Sequence, residues 1–457
     1  MRDMTSGKES KLILQFTAPM LLGNVFQQLY NIVDSIIIGN FIGKEALAAV
    51  GASFPIIFAL ISMVIGFATG ATIIISQYFG AKKMNQVRQT IDTLYIVLFF
   101  ASIVISILGL LLSKTIFQWI QLPVEVLPDA VTYLNVYISG LVFFFGFNGT
   151  AAILRGLGDS KTPLYFLIIS TIANIFFDLL FVLVFKWGVA GVAFATVISQ
   201  AGAFITSVFY LNKTHEIVKL SVFKLVFNRE IFRQSLRIGL PSGFQQTIVS
   251  LGLIAVVWIV NLFGTNVIAA FSVVMRIDSL ASLPAMNFAA ALSTFVGQNL
   301  GANKVERVRA GLIATLKLTS VISAVITIIA ILFSRNLIAV FTNDPAVIDI
   351  GVKYLVIVSS FYIVFSTMFV LNGVMRGAGD TMVPMFITLF ALWFVRIPVS
   401  YFLSQAIGET GIWWAIPIGW FLGMSLTYGY YMSGKWKTKG VVSHPPKDIS
   451  EQVKQPY

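Results

Sequence analysis

Long apolar segments, bounded by glycine, proline or charged residues, follow one another along the chain. Most are near or above the roughly 20 residues that a helix needs to cross a bilayer, as expected of tilted helices. Segments such as IVLFFASIVISILGLLL lack the alternation of transmembrane strands. The pattern predicts an all-α integral membrane protein with twelve transmembrane helices. These helices are predicted over residues 12–38, 51–79, 89–112, 128–154, 163–185, 188–211, 235–262, 267–296, 310–333, 347–374, 383–403 and 412–433.

Lysine and arginine residues concentrate in the connections that follow the even-numbered helices, whereas the odd-numbered connections contain few. Because positively charged connections remain on the cytoplasmic side, we predict a multi-pass protein of the cell membrane with both termini in the cytoplasm. The polar first ten residues are followed by no small-residue cleavage site, so we expect no removable signal peptide.

The composition excludes several classes of protein. Of the 457 residues, 57% are hydrophobic and 11% are charged, too few charged residues to cover a soluble protein. The lack of cysteine excludes disulfides and thiolate metal sites, and the two histidines, His215 and His444, lie in polar stretches. The net charge of +12 fits basic cytoplasmic loops better than nucleic-acid binding. No Walker A loop occurs, so we expect no ATP hydrolysis, no enzymatic activity and no cofactor.

The chain contains an internal repeat with a constant spacing of 221 residues. LRGLGDSKTP, which starts at Leu154, recurs as MRGAGDTMVP, which starts at Met375. Three matches in the same order indicate two homologous six-helix halves. The other two relate Gly43, Ala48 and Ala49 to Gly264, Ala269 and Ala270, and Gln77, Gly80 and Ala81 to Gln298, Gly301 and Ala302.

The two halves have the same orientation in the membrane because each contains an even number of helices. We predict an amino-terminal lobe over residues 1–211, a cytoplasmic linker over 212–234, a carboxy-terminal lobe over 235–433 and a cytoplasmic tail over 434–457. Two bundles around a central cavity that opens alternately to either side are the usual arrangement of a secondary transporter. We expect the protein to be monomeric.

The chain resembles the multidrug and toxic compound extrusion (MATE) family over about residues 10–433. The resemblance rests on Pro19 in the first helix, GNFIGKEALAAVGAS after it, SQYFGAKK, LRGLGDSKTP and the second-half copies FGTNVIAAFS, GQNLGANK and MRGAGDT. The order and duplication of these motifs make it specific. It implies a V-shaped pair of lobes that exports organic, often cationic, drugs in exchange for protons or sodium ions.

Acidic side chains within the predicted helices cost roughly 2.5–3.5 kcal/mol each and need an explanation. The clear cases are Asp34 in the first helix and Asp178 in the fifth. A rise of about 1.5 Å per residue puts Asp34 ~9 Å and Asp178 ~12 Å below the outer edge, level with Thr196 in the sixth helix. Asn174 lies one helical turn from Asp178 on the same face. Two carboxylates, an amide and a hydroxyl are therefore predicted to converge.

This convergence has three interpretations. The oxygen atoms could bind Na⁺, or the two acids could share a proton, since desolvation and mutual repulsion favour protonation. The resemblance places the family's amino-lobe cation site on the same four positions. Alternatively, the polar groups only fix helix packing.

The resemblance adds further residues near this site. It implies that Gln27, Tyr30 and Asn148 belong to a hydrogen-bond network lining the amino-lobe cavity, with ordinary packing as the alternative. It also implies that Pro19 takes part in bending of the first helix linked to the cation site, with a simple helix-start proline as the alternative.

The second half has lost the predicted site. A shift of 221 carries its four positions onto Ala255, Val395, Val399 and Pro417. The seventh and tenth helices also carry no acid except Asp349 at an outer edge. This departure points to the DinF-like branch of the family, which is commonly associated with proton coupling.

Three other charged residues lie within second-half helices: Arg276, Asp278 and Arg396. Arg276 and Asp278 are two residues apart and therefore face different neighbours. Arg396 is a candidate partner of Asp278, in either a structural role or a contact with substrate or gate.

Taken together, we predict a secondary active exporter of amphiphilic, cationic organic compounds that exchanges them for protons. Aromatic and methionine side chains suit an apolar cavity for flat cations, and Phe144, Phe147, Trp258 and Met286 are candidates for its lining. The alternatives are a Na⁺-coupled antiporter with the same site, a lipid-linked saccharide flippase, and an uncoupled channel or scaffold. Flippases usually have more helices and a basic cavity, and the paired acids Asp34 and Asp178 argue against an anionic substrate.

Overall fold

A computed structural model of the chain describes residues 2–214, 218–221 and 224–442. His215, His444 and the last part of the predicted tail lie outside the described residues. Within them the regular structure is entirely helical, which confirms the predicted fold class.

Within the described residues, twelve helical segments correspond to the twelve predicted helices. The first six are α1 (Glu9–Ile37), α2 (Lys44–Gly80), α3 (Met84–Trp119), α4 (Leu127–Ser139 and Leu141–Gly156), α5 (Lys161–Leu179) and α6 (Gly188–Thr214). The other six are α7 (Arg229–Asn261), α8 (Thr265–Gly301), α9 (Val305–Leu332), α10 (Pro345–Ser359 and Tyr362–Gly377), α11 (Met382–Leu389 and Ile397–Ile407) and α12 (Glu409–Met432). Wider π-helical turns extend α1 over Ile38–Ile42 and α5 over Leu180–Val184, and join the two parts of α11 over Phe390–Arg396, while a short helix, Ser334–Ala339, follows α9.

Most of these segments meet the requirements of a membrane span. Among the described residues, eight helices are long and apolar enough to cross a membrane, or ten if each bent pair is counted as one span. The remaining two, α1 and α12, have 29 and 24 residues. α1 is less apolar because Asn24, Gln27 and Asp34 interrupt it. Large side chains that a soluble protein would bury are exposed on the outside, including Leu111 at 72% and Phe209 at 72%, as expected against lipid.

The helix α7 begins at Arg229, inside the segment predicted as linker. The side chain of Asn228 accepts hydrogen bonds from the backbone N–H groups of Glu230 (3.0 Å) and Ile231 (3.1 Å). This cap satisfies free donors of the first turn, so the helix continues into polar sequence that an apolar pattern does not detect.

The internal repeat is visible in the backbone. α4 and α10 occupy equivalent positions, and each is broken, with bends of 52° and 49°. The repeated motif forms the turn that follows each of them, with Gly158 at φ +81° and Gly379 at φ +88°, where glycine avoids the steric cost of a side chain. In the first copy the Asp159 carboxylate accepts from the N–H groups of Lys161 (3.0 Å) and Thr162 (3.1 Å) and starts α5.

The two lobes meet through glycine-lined helix crossings. Gly66 of α2 packs so closely on Gly239 of α7 that a Cβ on Gly66 would lie 2.7 Å from the Gly239 carbonyl oxygen. Near the ends of α2 and α8, a Cβ on Gly80 would collide with the Gln298 backbone, and one on Gly301 with the Gln77 backbone. The helices can therefore cross at backbone contact only because glycine occupies these positions.

Two buried glutamines, Gln77 and Gln298, join the lobes by hydrogen bonds near the ends of α2 and α8. Gln77 Nε2 donates to the Gly377 carbonyl at 2.9 Å, and its Oε1 accepts from the N–H of Val441 at 2.7 Å. Gln298, its repeat equivalent, forms the corresponding two bonds from the other lobe. Its Nε2 donates to the Gly156 carbonyl at 3.3 Å, and its Oε1 accepts from the N–H of Met4 at 2.8 Å. Each glutamine thus binds a helix end of the other lobe together with one terminal segment of the chain.

We call this region the closed end. It comprises the ends of α2, α4, α8 and α10 together with residues 2–8 and 435–442. Among the described residues, the hydrogen bonds that join the two lobes lie toward this end, and the bond farthest from it joins Asn24 Nδ2 to Asn287 Oδ1 at 2.9 Å.

Candidate functional site

The four residues predicted to converge do so between α1, α5 and α6. Asn174 Nδ2 donates to Asp178 Oδ2 at 3.0 Å and to Asp34 Oδ1 at 3.2 Å, and its Oδ1 accepts from the backbone N–H of Thr196 at 3.2 Å. This amide orientation is assigned from the neighbouring groups, because it gives each atom a complementary partner. Asp178 is fully buried, and Asn174 is only 2% exposed.

The sequence of α5 explains why this face is polar. Ser170, Asn174 and Asp178 recur every four residues and therefore form one stripe. The stripe faces α6, since the hydroxyl of Ser170 donates to the Ser199 carbonyl at 3.1 Å. α1 packs against the same helix and brings Asp34 to the stripe.

The two carboxyl groups are incompletely satisfied by the protein. They lie within hydrogen-bonding reach of each other, and the Tyr30 hydroxyl lies within reach of Asp34. That hydroxyl also lies 3.2 Å from the Thr196 hydroxyl. Asp178 Oδ1 is buried without a donor among the described residues. A proton between the carboxyls, or a cation, would supply the missing partner. We refer to Tyr30, Asp34, Asn174, Asp178 and Thr196 as the carboxylate cluster.

Sequence reasoning missed Tyr133, on the first part of α4. This buried tyrosine lies within electrostatic range of both Asp34 and Asp178, and its ring stacks on Tyr137 at 6.3 Å. The two tyrosines are four residues apart, so the spacing could have suggested an aromatic face on α4.

The ligands available to a metal ion are few. Among the described residues, no group of three or more His, Asp or Glu side chains is placed to hold a metal. Bound Na⁺ would have to rely on the two carboxylates, the Asn174 amide oxygen and the Thr196 hydroxyl, and the amide would have to turn its oxygen toward the carboxylates.

A cavity of about 380 Å³ lies between the lobes, and none of the described residues that line it belongs to the carboxylate cluster. Pro19, Gln27 and Asn148 line it, whereas Tyr30 belongs to the cluster. The Asn148 amide donates to its own helix, at the Phe144 carbonyl (2.9 Å). Among the described residues, no hydrogen bond links Gln27 or Asn148 to the carboxylates, and their part in a hydrogen-bond network of the cavity stays a prediction.

Three of the four apolar candidates also line the cavity: Phe144, Phe147 and Met286. Trp258 does not, and its side chain is 60% exposed on an outer face of α7. Pro19 lies ten residues inside α1, so the alternative of a helix-start proline is wrong.

The second half has a different buried acid. Asp278 on α8 accepts hydrogen bonds from the hydroxyls of Tyr354 and Tyr362, both on α10. The suggested Arg396 partner forms no ion pair with it within 4.0 Å among the described residues, and Arg396 Nε has no hydrogen-bond partner there. The tyrosine hydroxyls bind both carboxylate oxygens directly, while Arg396 lies within electrostatic range of the carboxylate without bonding to it.

A family model described as MatE matches residues 19–180 and again residues 241–402. The chain belongs to the MATE family. The two matches also reproduce the duplication that the sequence motifs indicate.

Relatives match over nearly their whole length. The chain is 33% identical to the "Probable multidrug resistance protein YpnP" of Bacillus subtilis, covering 95% of this chain and 97% of that protein. It is 28% identical to the "Probable multidrug resistance protein NorM" of Thermotoga maritima, covering 95% and 94%. A solved structure described as "Crystal structure of MATE in the bent conformation" superposes with a TM-score of 0.89 at 24% identity, covering 95% of this chain and 98% of that one.

These comparisons confirm the predicted family and fold. The protein is a multi-pass membrane transporter of a multidrug efflux family, with twelve helices in two lobes. The coupling ion, the charge of the substrate and the roles of the cluster residues stay predictions.

Proposed function

We propose that the protein exports amphiphilic organic compounds in exchange for protons, and that Asp34 and Asp178 carry the exchanged proton. The proposal rests on one observation: two carboxyl groups lie side by side inside the membrane, and Asp178 Oδ1 has no donor among the described residues. Two neighbouring carboxylates repel each other in a medium of low polarity, so binding one proton between them is strongly favoured.

The orientation of Asn174 favours a proton over Na⁺. In the assigned amide orientation, the backbone N–H of Thr196 donates to the amide oxygen, and the amide nitrogen faces both carboxylates. A donor in this position stabilises carboxylates that have lost their proton, whereas it would repel a metal ion. Sodium binding would require the amide to turn and give up the Thr196 bond.

Coupling to the cavity would pass along α1. Tyr30 belongs to the cluster, and Gln27, one turn away on the same helix, lines the cavity together with Pro19. Proline has no N–H and leaves the helix one internal hydrogen bond short, so α1 can bend there at low cost. Protonation of Asp34 and Asp178 would remove their charge, weaken the hydrogen bond by which Asn174 of α5 holds Asp34 of α1, and favour the form that releases substrate.

We further propose that the closed end faces the cytoplasm. The residues around it carry most of the lysines and arginines, including Lys82, Lys83, Lys304 and Arg307. The described state is then outward-facing. The predicted boundaries at residues 211, 234 and 433 and a monomeric state belong to the same proposal.

Transport by purified protein in proteoliposomes tests this function. Two fluorescent probes share a dansyl group and a hexyl chain and differ in charge: dansyl-aminohexanoate and dansyl-aminohexyl-trimethylammonium. We expect uphill movement of at least one probe under an imposed pH gradient and none under a Na⁺ gradient alone. Asp34→Asn should abolish this movement because the variant side chain cannot exchange a proton.

Asp349→Asn is the matched control, since Asp349 is an exposed residue that pairs with Arg335 far from the cluster. It should transport like the wild type. Transport driven by Na⁺ alone, or normal transport by Asp34→Asn, would refute the proton assignment.

A further inference from the structure

The central cavity carries a charge that the proposed coupling does not use. Arg155, in the last turn of α4, and Arg376, in the last turn of α10, both line it at the closed end. They are repeat equivalents, 221 residues apart. Among the described residues that line the cavity, they are the only charged side chains, and none is acidic. The cavity is therefore positively charged.

The protein holds one of the two arginines in place. Arg376 Nη2 donates to Gln245 Oε1 at 2.8 Å, and Gln245 Nε2 donates in turn to the Thr388 hydroxyl at 2.6 Å. Arg376 Nε is buried without a partner among the described residues. The side chain is thus anchored at one nitrogen and retains a free donor.

Arg155 has no such anchor. The repeat equivalent of Gln245 is Asn24, whose amide is instead bonded to Asn287 across the lobes. Within the described part of the chain, the Arg155 guanidinium forms no hydrogen bond and no ion pair. Arg155 is half-buried and lines the cavity, so its guanidinium donors face the cavity space and can pair with an external anion.

The rest of the lining fits the body of such a ligand. Met20, Phe144, Phe147 and Met286 form apolar walls, and the Gln27 and Asn148 amides lie along them. An arginine presents a planar fork that matches carboxylate and phosphate groups. We propose that the cavity binds amphiphiles through an anionic group, a carboxylate, phosphate or sulfonate, held between Arg155 and Arg376 with the apolar body against the aromatic wall.

This inference rests on the proposed function, since it names the class of substrate that the exporter carries. The inference also replaces the predicted cationic substrate with an anionic one, because a cationic head group in this cavity would meet two arginines and no acid among the lining residues. A basic cavity is a feature that sequence analysis assigned to the flippase alternative, so an anionic lipid is one source of this chemistry and a small soluble amphiphile the other.

Equilibrium binding without any gradient tests the site. The protein is placed in phosphatidylcholine nanodiscs, and fluorescence anisotropy gives its affinity for dansyl-aminohexanoate and for dansyl-aminohexyl-trimethylammonium. We expect the anionic probe to bind more tightly to the wild type. Arg155→Gln should weaken anion binding about tenfold or more, as expected for loss of a charged hydrogen bond, and Arg155→Lys should weaken it less.

Two controls guard against misfolding. Arg335→Gln removes an exposed arginine outside the cavity and should leave both affinities unchanged. Arg155→Gln should keep its binding of the cationic probe and its elution as a monodisperse species. Equal anion affinity in the wild type and Arg155→Gln, or tighter binding of the cationic probe by the wild type, would overturn the proposal.

Phosphatidylglycerol nanodiscs separate the two sources of the anion. If this lipid lowers anion binding in the wild type and not in Arg155→Gln, the headgroup occupies the site; if both proteins respond alike, the ligand is a soluble amphiphile.

Different outcomes refute the exporter proposal and the anion-site proposal. Arginine-dependent anion binding without gradient-driven transport refutes only the exporter, whereas proton-driven transport of the cationic probe with no arginine-dependent binding refutes only the anion site.

Discussion

The closed end keeps both copies of its repeated residues, whereas the middle of the helices keeps only one copy of the carboxylate cluster. At the closed end both copies survive: Gln77 and Gln298 form the same pair of bonds, and Gly80 and Gly301 make the same backbone crossing. In the middle only the first copy of the cluster survives. Its four predicted positions correspond in the second half to Ala255, Val395, Val399 and Pro417.

This difference separates two tasks. A gate between two lobes opens when both sides release, so equivalent contacts on each side of the approximate two-fold axis contribute equally. An exchanged ion needs only one site whose state biases the gate. A second cluster would cost further buried charge without adding control. We infer that the duplicated residues of the closed end keep the lobes together there. We infer that the carboxylate cluster, which occurs once, controls when they separate.

The second lobe nevertheless keeps part of the amino-lobe arrangement. Tyr354, which donates to Asp278, is the repeat equivalent of Tyr133, which lies near Asp34 and Asp178. In the first lobe the tyrosine faces a pair of acids, and in the second it satisfies a single one. Asp278 has a hydroxyl donor on each oxygen and so lacks an unsatisfied oxygen like Asp178 Oδ1, on which the proposed proton site depends.

The sharpest test replaces one acid in each lobe. Asp178→Asn should abolish pH-driven transport, a loss of more than about a hundredfold, because the variant cannot accept the proton. Asp278→Asn should retain coupled transport and instead lower stability by about 1–3 kcal/mol, since the amide leaves a buried tyrosine hydroxyl poorly paired. Transport under a pH gradient and thermal unfolding in detergent measure the two effects. Loss of coupling in Asp278→Asn with normal stability would show that both lobes carry the ion.

The second test breaks the symmetric crossing. Gly80→Ala and Gly301→Ala each place a methyl group against the backbone of the other lobe, where nothing can move aside, at a cost of about 1–3 kcal/mol. We expect both variants to open the closed end to a similar degree. The chain has no cysteine, so Ser235→Cys, a 1% exposed position at the α2–α7 crossing, provides a single reporter of labelling by a charged thiol reagent.

Labelling of this reporter should rise about tenfold in both glycine variants, as a shift of that free energy implies. Gly51→Ala is the control, because it lies on the same helix α2 with open space around it. A large response to only one of the two substitutions would mean that the gate is not symmetric.

The sequence predicted the helices and the cluster for physical reasons that do not extend to the cavity. Because a bilayer requires long apolar helices, the helical segments can be predicted from their apolar residues. The four-residue spacing of Asn174 and Asp178 places both side chains on one face of their helix. Arg155 and Arg376, by contrast, indicate only orientation and the internal repeat, since basic residues at helix ends usually face water. Whether an arginine turns into a cavity depends on its neighbours, here Gln245 in one lobe and Asn24 in the other, and no periodicity encodes that.

The third test separates the two glutamines by the segment that each holds. Gln298→Ala should free residues 2–8, and Gln77→Ala should free residues 435–442, because each glutamine oxygen accepts from one of these segments. Each change should cost about 1–2 kcal/mol at the closed end. Hydrogen exchange followed by mass spectrometry should show faster exchange in one segment per variant. The exposed Gln118→Ala should change neither, and exchange that rises in both segments at once would show that they act as one unit.

The smallest effect concerns a difference between the two terminal segments themselves. Asp3 Oδ1 accepts from the N–H of Thr5 at 2.7 Å, whereas residues 435–442 contain lysines and no acid. Partial burial acts to raise the pKa of Asp3, but the Thr5 hydrogen bonds and the charges of Lys304 and Lys82 outweigh it, so the pKa lies below 3.8. A lowered pKa stabilises the segment at pH values above the ordinary pKa of aspartate, and this contribution is lost as the pH falls through the lowered pKa.

Since Asp3 is largely exposed, Asp3→Asn should cost less than about 1 kcal/mol of stability and raise hydrogen exchange at Met4 and Thr5 by no more than about fivefold. Wild-type protection should fall toward that of the variant below pH 3.8, while residues 435–442 stay unchanged in both proteins. An equal acid response in the two segments would place its origin in the membrane-embedded acids and remove the distinction drawn here.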